Sequence, residues 1–225
     1  MPDLSRRATE PELLDEGVAE PEAIASLRDL RLVNRWLGGR RSLLEATVPH
    51  LDGLRPSVLD VGCGSADLPA VLRQAVGPRL LAVGVDLKLL HLRQAPPGVR
   101  RVVADVRRLP FPPRSFDVVT ASLFLHHFDA PAVATVLRAL FELARRALVV
   151  NDLHRAHVPY VFGRATFPWL FRSRVSVADG LLSIRRAFTP RELHDAFRDA
   201  GIAPVTIRRR FPYRLVAVAV RNEGP

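Results

Sequence analysis

Asp60-Val61-Gly62-Cys63-Gly64-Ser65-Ala66-Asp67 is the first stretch of this chain whose residue types could do chemistry. It follows the apolar run 57–61 and precedes a helical pattern, so it reads as a strand, a tight glycine turn and a helix. Glycine there lets a ligand approach the backbone at a helix N-terminus. Asp86 closes the next strand in Gly84-Val85-Asp86, where a carboxylate can accept from both hydroxyls of a ribose. A dinucleotide-binding loop would carry Gly or Ala at the place of Asp67, beside a pyrophosphate that Asp60 and Asp67 would repel. The two carboxylates instead suit a cofactor bearing an ammonium and a sulfonium, which favours S-adenosylmethionine over NAD. Cys63, the only cysteine, reads as a small buried residue in the turn rather than as a nucleophile. Three histidines follow later apolar runs: His126 and His127 after 116–121, and His154 after 147–150.

These residues need a scaffold, and the chain predicts one. Strands are expected at 57–61, 80–85, 99–104, 116–121 and 147–150, with helices at 66–76, 88–94 and 130–145 between them. The strands lack polar alternation, as in a parallel sheet covered on both faces. The βαβα order predicts an α/β, Rossmann-like doubly wound sheet, mostly parallel. Runs 205–209 and 215–220 predict a C-terminal antiparallel hairpin. Thr189-Pro190-Arg191-Glu192 is a capping box opening a helix to Ala200. Ahead of the sheet, Ile24, Leu27, Leu30, Val33 and Leu37 recur at helical spacing, and a second helix uses Leu43, Leu44 and Val48. The expected organisation is a poorly ordered N-terminus at 1–20, an N-terminal helical cap at 21–50, and a Rossmann-like domain at 51–225 carrying a lid insert at 153–187.

The segments VLDVGCGSADLP, GVDL and VVADVRRLPFPPRSFDVVTASLFLHHF, with the terminal hairpin, resemble the class I S-adenosylmethionine-dependent methyltransferases. They are similar to the ubiquinone and menaquinone biosynthesis methyltransferases over about residues 57–220. Residues 151–189 depart from those enzymes and look more like methyltransferases associated with polyketide synthases. The resemblance implies that Asp60, Gly62, Cys63, Gly64 and Asp67 surround S-adenosylmethionine and that Asp86 holds its ribose. It also implies that Asp105 takes the adenine amino group, that Leu87 and Val106 flank the ring, and that Ser122 lies near the methionine part. Ala66 stands where many members have Gly, and small size is retained.

Methyl transfer requires mainly that nucleophile and methyl be aligned. A phenol has a pKa near ~10, so a neighbouring histidine would help O-methylation. His154 is the first candidate base and His127 the second. His126 is expected beside the acceptor, unless it is only a pinned loop residue; likewise His127 could cap a helix and His154 could pair with Asp152 at the surface. Phe167, Trp169 and Trp36 are expected to bind a small, hydrophobic, aromatic acceptor under the lid, or else to pack lid against core. No metal is expected.

Composition bounds the rest. The net charge is +10, carried by arginine with Lys88 as the only lysine, and its scatter suits a solvated surface better than a polyanion site. No apolar run reaches the ~20 residues of a membrane span, and no secretory signal is evident, so a cytoplasmic location is expected. Two rival readings remain, a nucleic-acid methyltransferase and a non-catalytic cofactor-binding protein. The first is disfavoured because Ser122-Leu123-Phe124-Leu125 stands where a base-amino methyltransferase would show an Asn/Asp-Pro-Pro-Tyr-like loop.

Overall fold

The computed structural model describes residues 2–221; Met1 and residues 222–225, the outer ends of the expected divisions, lie outside the described residues. In chain order the elements are α1 (Leu13–Glu16), α2 (Glu20–Trp36), α3 (Gly39–Thr47), β1 (Ser57–Val61), α4 (Asp67–Val76), β2 (Leu81–Asp86), α5 (Leu89–Arg93), β3 (Arg100–Val103) and β4 (Phe116–Ser122). There follow α6 (Ala130–Leu143), β5 (Ala144–Leu153), α7 (His157–Leu170), α8 (Arg174–Arg186), α9 (Pro190–Asp199), β6 (Val205–Arg210) and β7 (Arg214–Val220). The strands form one sheet in the order β3-β2-β1-β4-β5-β7-β6. β1 to β5 are parallel, and β7 inserts antiparallel between β5 and β6. This is the predicted doubly wound sheet with its C-terminal hairpin.

The strand alternation explains the two layers. Val58, Ala82, Val118 and Val149 face one side and pack on Leu43 of α3 and on Leu68 and Leu72 of α4. Leu59, Val83, Val119 and Leu148 face the other side and pack on α6 and α9 through residues such as Leu137, Leu140, Leu193 and Phe197. α9 begins at the predicted capping box: Glu192 N–H donates to Thr189 Oγ1, and Thr189 N–H donates to the Glu192 carboxylate.

The strand order reverses between β1 and β4, so their C-terminal ends diverge into a crevice where ligands bind in open α/β sheets. α2, α7 and α8 lie over that crevice, α2 and α7 each packing on or beside α8. Two helices thus make up the 153–187 segment.

The N-terminal twenty residues depart from expectation. Leu4 and Glu12 are buried, and Arg7 donates to the carbonyls of Arg186, His126 and Phe128. The Leu13 and Leu14 N–H groups donate to the Asp179 carboxylate of α8 at 2.8 and 2.9 Å. Low apolar content hid this order, because polar contacts to residues more than a hundred positions away create it.

Candidate active site

The crevice holds one cavity of about 440 Å³ that runs from the β1–α4 and β2–α5 loops to the space under α2, α7 and α8. Its floor is the glycine loop. Gly62 has φ +66°, and a Cβ there would stand 2.0 Å from the Phe124 ring, so only glycine fits. Ala66 takes the left-handed conformation just before α4, a strained choice for a residue with a Cβ.

Asp86 pins this loop. Its Oδ2 accepts from Gly64 N–H at 2.8 Å, and its Oδ1 accepts from Lys88 N–H at 2.9 Å, with His91 Nδ1 at 3.2 Å. Asp60 is buried below the loop and accepts from Thr120 Oγ1 at 2.6 Å. Burial pushes its pKa up to about 7, against the Thr120 hydrogen bond and with Asp67 and Asp86 adding to the rise. Burial also raises the Asp67 carboxyl, although Arg40 and Arg31 oppose it. Asp67 Oδ2 is buried without a hydrogen-bond partner. Cys63 is buried too, and desolvation, with Asp60 and Asp86, pushes its thiol well above the ordinary value, so it is no nucleophile.

This donor set fits a cationic aminocarboxylate cofactor. Three mutually repelling carboxylates, one of them with an oxygen that makes no hydrogen bond and has the Arg40 guanidinium 3.6 Å away, gain from an ammonium and lose from a pyrophosphate. Asp105 Oδ1 accepts from Arg107 N–H at 2.9 Å, which fixes the carboxylate at the cavity wall. Leu87 and Val106 line the same end, Leu87 largely exposed and Val106 buried. Ser122 Oγ contacts Asn151, whose amide also donates to the Gly39 carbonyl at 3.1 Å and so ties α3 to the β5 end. Every residue expected around the cofactor borders this one cavity or supports its floor.

The histidines differ. His126 is buried, its Nδ1 2.6 Å from Asp152 Oδ1 and its Nε2 3.4 Å from Glu12 Oε1. Burial works against its charge, but Asp152 and Glu12 hold its pKa up at about 10. The pairing of His154 with Asp152 considered above does not occur, because His126 occupies that carboxylate. His127 lies on the cavity wall with Nδ1 2.6 Å from Asp15 Oδ2. His154 also lines the cavity, and its backbone N–H donates to the Tyr213 carbonyl at 3.0 Å. Burial lowers its pKa, and Arg209 and Arg155 add to that, so the ring is neutral with a lone pair to offer.

Of the aromatics expected at the acceptor, Phe167 lines the cavity and is buried, close to Gly163 and Gly180, whose missing side chains make room for its ring. Trp169 is 91% and Trp36 67% exposed, and neither borders the cavity. Helix phase explains the miss: both sit on the outer faces of α7 and α2, while Phe162, Phe167 and Leu30, Val33 face inward. Glu12, Asp15, Phe124 and Tyr213 also border the cavity. Sequence reasoning passed over the first two because they sit in a polar, proline-marked segment.

A family model described as a methyltransferase domain matches residues 58–147. The demethylmenaquinone methyltransferase of Geobacillus kaustophilus is 30% identical over 183 residues, 72% of this chain and 76% of that protein. The 2-phytyl-1,4-naphtoquinone methyltransferase of Synechococcus elongatus is 31% identical over 112 residues, 45% of this chain and 48% of that protein. Among solved structures, the plantazolicin methyltransferase BpumL in complex with a monoazolic desmethylPZN analog and SAH aligns with a TM-score of 0.67 at 14% identity, covering 91% of this chain and 96% of that one. Human N-acetylserotonin methyltransferase in complex with S-adenosylmethionine aligns with the same TM-score and identity, covering 90% and 56%. At that identity the two structures speak to fold.

Proposed function

The chain belongs to the class I S-adenosylmethionine-dependent methyltransferases, and from that premise we propose that it methylates a hydroxyl of a small, hydrophobic, aromatic acceptor. The observation that carries this reading is the continuity of the cavity: from the acidic glycine loop it runs under a lid where Leu30, Val33, Phe162, Phe167 and Ile184 give an apolar wall beside the carboxylates of Glu12 and Asp179. Two relatives named for quinone substrates support an apolar ring as the acceptor.

When bound, S-adenosylmethionine supplies a methyl group activated by a positively charged sulfur. As the family resemblance implies, Asp86 would accept from the ribose hydroxyls and Asp105 from the adenine amino group, Leu87 and Val106 would flank the ring, and Ser122 would lie by the methionine part. Gly62, Cys63 and Gly64 form the close-approach wall, and Asp60 and Asp67 supply the negative field that favours the cation. The lid residues exclude water from the acceptor and align it, which is the larger part of the rate. His154 takes the hydroxyl proton, since its lowered pKa keeps it neutral at pH 7. His127 lines the same cavity but is held by Asp15.

Turnover of a panel of alkylated phenols and quinols, with the product read by NMR as a methoxy group, tests this. The expected result is O-methylation that prefers alkylated over polar rings. His154→Gln is expected to lower kcat about 10²–10⁴-fold with cofactor affinity kept. Carbon methylation, or a preference for polar phenols, overturns the reading.

A further inference from the structure

We propose that Glu12, His126 and His127 form a divalent-cation site in the cavity wall, of the two-histidine, one-carboxylate kind that takes zinc, with the open position turned to the acceptor. The inference deepens the reading above, since the oxygen it would take is the acceptor's hydroxyl. Its geometry comes from two dyads. Asp152 holds His126 Nδ1 and Asp15 holds His127 Nδ1, each at 2.6 Å. Both rings therefore present Nε2 to Glu12, at 3.4 Å from Oε1 for His126 and 3.9 Å from Oε2 for His127.

One candidate ligand atom from each residue lies within 4.8 Å of the others. Zinc binds such ligands at about 2.0–2.1 Å, which sets tetrahedral ligands about 3.3 Å apart. The His126–Glu12 edge already has that spacing, the His127–Glu12 edge is 3.9 Å, and the edge between the two histidines, within 4.8 Å, closes only by movement of the rings themselves. A carboxylate behind each ligating imidazole is the arrangement that orients metal-bound histidines and raises their basicity; the ion would take the place of the proton that His126 Nε2 shares with Glu12, and that proton would be released to solvent on binding.

The surrounding charge suits a dication. Glu12, Asp15 and Asp152 meet the two imidazoles, and Asp179 lies behind Glu12 and Asp15. Ser183 Oγ donates to Glu12 Oε1 at 2.7 Å and fixes that carboxylate. The nearby cations are turned elsewhere: Arg7 and Arg186 donate to the backbone carbonyls of residues 126–128, and Lys88 Nζ donates to the carbonyls of Leu14 and Asp15. A bound cation would act as a Lewis acid on the acceptor oxygen and lower its pKa. It would also fasten the N-terminal segment, through Glu12, to the loop after β4.

The test is calorimetric titration of Zn²⁺ into the full chain after chelator stripping, without cofactor or acceptor, with Co²⁺ absorption as a second readout. We expect one saturable site and a tetrahedral Co²⁺ spectrum. Glu12→Gln and His127→Gln, each checked for folding by circular dichroism, should each weaken binding more than about 100-fold. Asp15→Asn, which only frees the His127 ring, should weaken it about 10–100-fold. No saturable binding, or affinity unchanged in both Glu12→Gln and His127→Gln, overturns the proposal. Because neither readout involves methyl transfer, that failure leaves the acceptor reading intact, and a wrong acceptor leaves the metal result standing.

Discussion

Asp60 sits where strand packing has removed water from a carboxyl, and its titration follows from that. Its folded pKa of about 7 stands above the ordinary 3.8 because of burial first and neighbouring carboxylates next. A raised folded pKa means that the native state binds this proton more tightly than the unfolded chain does. The stabilisation is therefore full below about pH 4 and is lost as pH rises through about 7. Asp60→Asn keeps the shape without the charge. Its melting temperature relative to wild type is expected to rise between about pH 4.5 and about pH 8, with a ceiling of about 4 kcal/mol set by the shift. Scanning calorimetry at both pH values checks this, and a constant difference would show that Asp60 does not titrate there. Asp86 works differently, by pinning Gly64 and Lys88. Asp86→Ala is expected to weaken S-adenosylmethionine by ~1–3 kcal/mol, since the ribose donors and the loop N–H lose a charged acceptor. Titration of the folded variant measures it, and unchanged affinity would mean that the ribose is held elsewhere.

At the scale of elements, helix phase separates residues that sequence alone had grouped. Phe167 and Trp169 lie two positions apart on α7, one in the cavity and one in solvent. Phe167→Ala is expected to cost about 3–5 kcal/mol of lid packing and to impair acceptor turnover while cofactor affinity holds. Trp169→Ala should stay within about 0.5 kcal/mol of wild type with unchanged turnover. Chemical denaturation and kinetics on both variants decide the matter, and equal effects would put Trp169 back at the site. The strands, α4, α6 and α9 were legible because each carries a period or a cap, such as the Thr189–Glu192 box. The 153–187 segment was harder. Its apolar residues are spread round the helices, and Gly163 and Gly180 serve to admit the Phe167 ring, a role that no local period announces. The glycine loop and Asp86 were legible from strand-end position. Glu12 and Asp15 were not, because their partners His126 and His127 lie more than a hundred residues away, and no local pattern encodes such a pairing.

Across the whole molecule, the +10 net charge resolves into separate tasks. Arg214, Arg155 and Arg186 are buried rather than solvated as their scatter suggested. Arg155 donates to the carbonyls of Leu4 and Ala187 and to Glu192, closing the N-terminal segment onto the domain. Burial lowers the Arg214 guanidinium to about 10, partly offset by Asp152 and Asp67. What is left at the surface includes Arg208, Arg209 and Arg210 on the edge strand β6; none of the three lines the cavity, although Arg209 lowers the pKa of His154 at its rim and Arg210 pairs with Arg214, which lines it. No helix among the described residues is long and apolar enough to cross a membrane. An acceptor chosen by the lid should thus be indifferent to salt, whereas one chosen by the arginines should not. The direct measurement is a competition: methyl-labelled S-adenosylmethionine, an alkylated naphthol and RNA in one reaction, at low and high salt. The account predicts label on the naphthol as a methyl ether, in equal yield at both salt concentrations. Label in the RNA, falling as salt rises, would contradict it.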